Sequence, residues 1–128
     1  MEKVLGFGGF FFRADDPGAL ARWYAEHLGV LEVPTSYDGP VWEQTAGATV
    51  FAPFSRDTAY FDRPAPDSRA PAAFMLNFRV RSLDAMVAQL RAAGIEVEVD
   101  PEVYPNGRFA KLFDPEGNPI QLWEPEST

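Results

Sequence analysis

Few side chains in this 128-residue chain could do chemistry, and their types exclude much of it. There is one histidine, His27, and no cysteine. Disulfides, thiolate metal sites and cysteine nucleophiles are therefore excluded. A triad of two histidines and one carboxylate fails on the histidine count alone. Ser36, Ser55, Ser68, Ser82 and Ser127 have no histidine signature near them, which argues against a Ser-His-Asp relay. The glycines of "GFGG" lie inside an apolar run with no helix directly after it, so they do not read as a phosphate loop. Glu43 and Glu124 stand near strand ends, where either could be a general base if buried. His27 closes a helix in "AEHLG", a place where an imidazolium interacts favourably with the helix C-terminus. Two features remain. A Phe-Arg pair occurs twice, ending in Arg13 and Arg79, and a lone glutamine, Gln121, interrupts the aliphatics of "NPIQLWEP".

The elements that must position these residues come as one unit written twice. In "GFGGFFFRADDPGALARWYAEHLGV" an apolar run leads to Asp16 as helix cap with proline following. Leu20, Trp23, Tyr24 and Leu28 recur at helical spacing, and Gly29 stops the helix. In "FMLNFRVRSLDAMVAQLRAAGIEVEV" a strand leads to Ser82 as cap. Leu83, Met86, Val87 and Leu90 share a face, and Gly94 stops the helix. Phe12 matches Phe78 and Asp16 matches Ser82, each 66 positions apart (78 less 12, 82 less 16), and the offset slips by one at the helix ends, where Gly29 matches Gly94. Such self-similarity is an architectural signal. Further short strands are expected at about Val41–Gln44 and Thr49–Phe54, and at Arg108–Phe113 and Ile120–Glu124. The segment 55–72, rich in Pro, Asp and Ser, reads as a linker or a functional loop. The expected architecture is one α+β domain of two βαβββ modules, about 4–54 and 73–125, with mostly antiparallel pairing.

Composition narrows the partners. The net charge of −8 and the lack of a Lys/Arg cluster oppose nucleic-acid binding. The same field repels anionic membranes; it would favour a cationic ligand, or serve solubility alone. "MEKVLGFGGFFF" lacks a basic flank and a cleavage site and is too short to span a bilayer, so a cytoplasmic location is expected. Aromatic residues make up 14% of the chain, enough for a ring-lined cavity.

The segments "DPGALARWYAEHLGV", "SLDAMVAQLRAAGIEV" and "GRFAKLFDPEGNPIQLWEP" resemble the vicinal oxygen chelate superfamily, which includes glyoxalase I, extradiol dioxygenases and bleomycin-resistance proteins. The resemblance implies that paired modules form a cup. In metal-dependent relatives, His, Glu or Gln side chains there hold a divalent ion. It places one ligand seven residues before each helix cap, at Gly9 and Met75, and another on the last strand, at Gln121. The fourth position falls within Thr49–Ala52, which carries no usual ligand. Glycine, a thioether and one neutral amide cannot replace a hydration shell, so no metal cofactor is expected.

Alternation then assigns faces. Leu76, Phe78 and Val80 should pack under the helix, as should Phe10 and Phe12. The cup should receive Phe11, Met75, Asn77, Gln121 and Trp123, with Arg13 and Arg79 nearer its ends and Trp42 and Arg108 joining from neighbouring strands. Arg13 and Arg79 could clamp an anion, or lie solvated or paired with acids such as Asp15 and Glu43. Asn77 could contact a ligand or hydrogen-bond Gln121. The central loop, with Tyr60 and Phe61, reads as a lid or a tether. Together these expectations describe a metal-free binder of a small organic molecule, a homodimer by analogy with the bleomycin-resistance branch. The alternative is a lyase, isomerase or dioxygenase with an altered metal site.

Overall fold

Helix α1 spans Pro17–Leu28 and is fixed at both ends by its own sequence. The Asp16 carboxylate accepts from the Ala19 amide at 3.1 Å, and Pro17 opens the first turn. Gly29 takes the left-handed conformation (φ 73°) that lets the Val30 amide reach back to the Tyr24 carbonyl. Helix α2, Leu83–Ala92, is capped by Ser82, whose hydroxyl accepts from the Ala85 amide at 3.2 Å. These are the boundaries expected from the capping residues. The computed structural model describes residues 1–65, 67 and 69–126. Ser68 and Ser127, among the serines considered above, lie outside them.

Among the described residues four strands form one mixed sheet: β1 (Leu76–Arg79), β2 (Glu98–Val99), β3 (Gly107–Phe113) and β4 (Pro119–Pro125), in the order β1-β4-β3-β2. β1 runs parallel to β4, while β3 is antiparallel to both β4 and β2. The second half of the chain is thus a βαβββ unit, and the class is α+β as expected. Alternation sends Ala110, Leu112, Ile120 and Leu122 to one face, where they join Leu83, Val87 and Leu90 of α2 and Leu20 and Tyr24 of α1 in a single core. Each large aliphatic buried there contributes about 1.5–3 kcal/mol. Leu76, Phe78 and Val80 pack against the same core, on the face assigned to them.

The first half differs from expectation at the strand level. Among the described residues no strand precedes Leu76. The segments expected to pair, at 41–44 and 49–54, run without a ladder, and Val41, Val50, Phe51 and Phe54 are exposed, as are Val4, Leu5 and Phe7 nearer the N-terminus. The physical reason is that alternation marks a segment able to be a strand, whereas a ladder needs a second segment in register. Among the described residues those partners form only in the second half.

The two halves are nonetheless joined by the turn "DPEGN". Asp114 is only 4% exposed, and its carboxylate accepts four hydrogen bonds, two of them from the Glu116 and Asn118 amides. The third comes from the Asn118 side chain, and the fourth from the Tyr24 hydroxyl of α1, both at 2.7 Å. The Glu116 carboxylate meanwhile accepts from the amides of Asp15 and Asp16, at the start of α1. Glu124 does the corresponding work for α2, accepting from the Leu83 amide at 2.8 Å. This occupies Glu124 as a helix cap and places it off the helix-free face of the sheet.

Candidate functional site

The helix-free face of the sheet carries a polar row that crosses all four strands. Asn77 of β1 stands opposite Gln121 of β4, Gln121 opposite Lys111 of β3, and Lys111 opposite Glu98 of β2. Asn77 donates to the Gln121 side-chain oxygen at 2.6 Å. Gln121 in turn donates through Nε2 to the Tyr60 hydroxyl at 2.5 Å. Lys111 donates through Nζ to the Tyr60 backbone carbonyl, and its ammonium lies 4.9 Å from the centre of the Tyr60 ring. The Phe113 ring is on its other flank, at 5.6 Å. Tyr60 thus reaches the row from the central loop, which here does more than tether the halves.

An aromatic row lies beside the polar one. Arg79 is in register with Trp123, and Trp123 with Phe109. The Phe109 and Trp123 rings are near parallel, 6.3 Å apart. Trp123 donates its indole N–H to the Asn106 carbonyl at 2.8 Å. The close approach depends on Gly107, where a Cβ would collide with the Glu124 carbonyl and the indole nitrogen. At the far end Arg79 donates to the carbonyls of Thr45 (2.7 Å) and Ala46 (3.4 Å). Gly47 admits the guanidinium, since a Cβ there would overlap it.

Two clefts open on this face. One of about 370 Å³ is bounded by Tyr60, Glu98, Asp100, Phe109 and Lys111. The other, of about 190 Å³, lies between Pro64, Glu98, Lys111 and Phe113. Their linings share Glu98 and Lys111, while Tyr60 lines the first and Pro64 the second. Burial pushes the Lys111 ammonium below its ordinary pKa, against the opposing pull of Glu98 and Asp62. Burial likewise pushes the Tyr60 phenol up, and the Gln121 hydrogen bond works the other way. Asp100, at the rim, is held low by the Glu102 amide and by the Tyr104 hydroxyl that donates to it at 2.8 Å.

The structure brings together four of the nine residues singled out in the sequence, Asn77, Arg79, Gln121 and Trp123, at the strand positions that alternation assigns to this face; Met75 is half-buried just before β1 begins. Arg108 falls elsewhere. It lies on the face that carries Ala110 and Leu112 and pairs with Asp84 of α2 at 3.1 Å. Trp42 meets Phe78, on the helix side, with ring centres 6.4 Å apart. Phe11 is 93% exposed. Arg13 is also exposed and makes no hydrogen bond or ion pair with a described residue, so it forms no clamp with Arg79, whose guanidinium is engaged by loop carbonyls. Of the alternatives for Asn77, the hydrogen bond to Gln121 is the one present. Lys111, Phe109 and Glu98 were not singled out, although the alternation of "GRFAKLF" places Phe109, Lys111 and Phe113 opposite the core residues. No local signal attaches Tyr60 to Gln121.

The resemblance assigns metal ligands to Gly9, Met75 and Gln121. Gly9 offers no side chain, Met75 a thioether, and both ends of the Gln121 amide are hydrogen-bonded to neutral groups. Among the described residues no three His, Cys, Asp or Glu side chains gather in a metal-holding group. Nor is any helix among them long and apolar enough to cross a membrane.

The sequence profile of the Glyoxalase/Bleomycin resistance protein/Dioxygenase superfamily matches residues 6–122. The chain is similar to TnmS3, an antibiotic binding protein from Streptomyces sp. CB03234, at 37% identity over 44% of this chain and 46% of that one, with a TM-score of 0.39. It is similar to a glyoxalase family protein from Enterococcus faecalis at 31% identity, over 48% and 52% of the two chains, with a TM-score of 0.38. A protein from Bacillus anthracis assigned to the glyoxalase family shows 26% identity over 84% of each chain, with a TM-score of 0.50. The chain thus spans about half the length of the first solved structures that it matches. No curated protein gives a significant match.

Proposed function

Because the chain belongs to the glyoxalase/bleomycin resistance protein/dioxygenase superfamily, we propose that it binds a small organic molecule on the helix-free face of its sheet, without a divalent metal. One observation carries this reading. Gln121, at the place of a metal carboxylate, is wired as a neutral hydrogen-bonding relay between Asn77 and Tyr60. A relay of this kind orients a polar group of a ligand, and the neighbouring Trp123 and Phe109 rings supply apolar contact. A hard cation would find one amide oxygen there, already in use.

Self-association belongs to the same proposal. The first half exposes Val4, Leu5, Phe7, Phe11, Val33, Val50 and Phe51. β1 and β2 are sheet edges with one neighbour each. Apolar surface and open edges of this kind favour a second copy as the cover. Calorimetric titration of purified protein against a panel of organic ligands, with and without chelator, tests binding and its independence of metal. Equal affinities in the two conditions are expected. Stoichiometric metal in protein purified without chelator, with binding abolished by its removal, overturns the reading. Light scattering gives the mass, expected at twice that of the chain.

A further inference from the structure

We infer that Tyr60 occupies the place of the ligand, and that the ligand is a planar aromatic molecule carrying two acceptor oxygens, one of them a ring hydroxyl. This rests on the small-molecule reading above and adds a ligand class and a gate to it.

The face offers two donors that need oxygen partners, Gln121 Nε2 and Lys111 Nζ. Both are met by a single residue, through its phenol oxygen and its backbone carbonyl. A flat ring lies between them, within cation–π range of the same ammonium. An arriving ligand that covers this face must replace all three contacts, or the two half-buried donors lose their partners. Two oxygens on an aromatic frame replace them together.

The loop is built to release. Tyr60 lies in no helix or strand and is 44% exposed. The bonds that anchor its flank lie outside the polar row. Arg63 donates to the Gly117 carbonyl at 2.7 Å and to the Ala70 carbonyl at 2.5 Å. Residue 60 can therefore leave while the loop stays attached at Arg63. Its departure enlarges the first cleft, which Tyr60 lines and which shares Lys111 and Glu98 with the second. A tethered side chain of this kind is an intramolecular competitor. It weakens apparent affinity by the fraction of molecules in which it has left the site.

The test uses umbelliferone, a fluorescent coumarin with one ring hydroxyl and one lactone carbonyl, titrated into the full chain. Tyr60→Ala is expected to bind it about tenfold more tightly than wild type. Tyr60→Phe keeps the ring, loses only the contact to Gln121, and is expected to gain less. Unsubstituted coumarin, lacking the hydroxyl, is expected to bind Tyr60→Ala about tenfold more weakly than umbelliferone does. Adding Gln121→Leu should erase that difference between the two probes. Equal affinity of wild type and Tyr60→Ala for umbelliferone overturns Tyr60 as placeholder and leaves small-molecule binding intact. Failure of every variant to bind either coumarin overturns the ligand class. If the variants also bind nothing from a panel of aliphatic acids and amines, the small-molecule reading falls with it.

Discussion

Tyr24 and Asp114 stand 90 positions apart and are joined by a buried hydrogen bond of 2.7 Å. This contact ties α1, the one regular element of the first half, to the turn between β3 and β4. Everything on the helix-free face depends on that turn, because it sets the register that aligns Lys111 with Gln121.

Tyr24→Phe removes one of four donors from the Asp114 carboxylate. A hydrogen bond to a charged group is worth about 1.5–3 kcal/mol, and urea unfolding should show a loss of that order. The variant should also change the alkaline limb of the stability profile. In the folded protein the Tyr24 hydroxyl is pushed well above its ordinary 10.0, first by burial and then by its hydrogen bond to Asp114 and the charge there. A raised folded-state value means that the proton is held more tightly when folded. The stabilisation is whole below pH 10 and is lost as pH rises toward the folded value. This group therefore lowers wild-type stability by up to about 1.4 kcal/mol per pH unit above pH 10. Tyr24→Phe lacks that contribution, so its profile there should be flatter. Tyr104, whose hydroxyl is also raised by its hydrogen bond to Asp100, titrates in both proteins and cancels in the comparison.

Glu116 and Glu124 cap α1 and α2 from outside the helices, and each should behave as a remote N-cap. Glu116→Ala frees the amides of Asp15 and Asp16, and Glu124→Ala frees that of Leu83. Each should cost about 0.5–2 kcal/mol in denaturant unfolding. The two sites share no partner, so the double variant should show the sum to within about 0.5 kcal/mol.

These caps also show where sequence reading reached and where it stopped. Asp16 and Ser82 could be read as caps because their partners lie three residues ahead. The carboxylates of Glu116 and Glu124 arrive from 100 and 41 residues away, and no local pattern marks them. The faces of β1 and β4 were legible because period-two alternation is a local property, and Asn77, Gln121 and Trp123 fell on the face assigned to them. Arg108 was expected at the cup without an alternation argument for its strand, and that alternation puts it with Ala110 and Leu112. The strands expected in the first half fail for a different reason, since pairing is a relation between distant segments. Tyr60 is of the same kind. Its place on Gln121 follows from how residues 55–63 cross the sheet.

Gln121→Glu restores the carboxylate of metal-dependent relatives and should still take up no metal. The positions at Gly9 and Met75 remain without hard ligands, and the new carboxylate stands opposite the Lys111 ammonium in register. A single carboxylate does not dehydrate a divalent ion. Metal analysis after dialysis against zinc, nickel or manganese is expected to give well under one equivalent. Tight stoichiometric uptake would falsify the placement of the site.

Arg108 and Lys111 lie three residues apart on β3 and face opposite sides of the sheet, so their substitution separates binding from stability. Arg108 reaches Asp84, whose side chain is 81% exposed, and an exposed pair of this kind is worth about 0–1 kcal/mol. Arg108→Ala should leave ligand affinity unchanged and lower stability by no more than that. Lys111 donates to Tyr60 and lines both clefts. Lys111→Met keeps the bulk of the stem and removes the donor and the charge. It should weaken binding of an acceptor-bearing ligand by about tenfold or more, since a charge-assisted hydrogen bond is worth about 1.5–3 kcal/mol. Because the ammonium is partly desolvated in the folded state, the same change should cost little stability. Calorimetric titration and urea unfolding of the two variants side by side check both halves. The reverse pattern, with affinity lost in Arg108→Ala and kept in Lys111→Met, would move the site to the helix face.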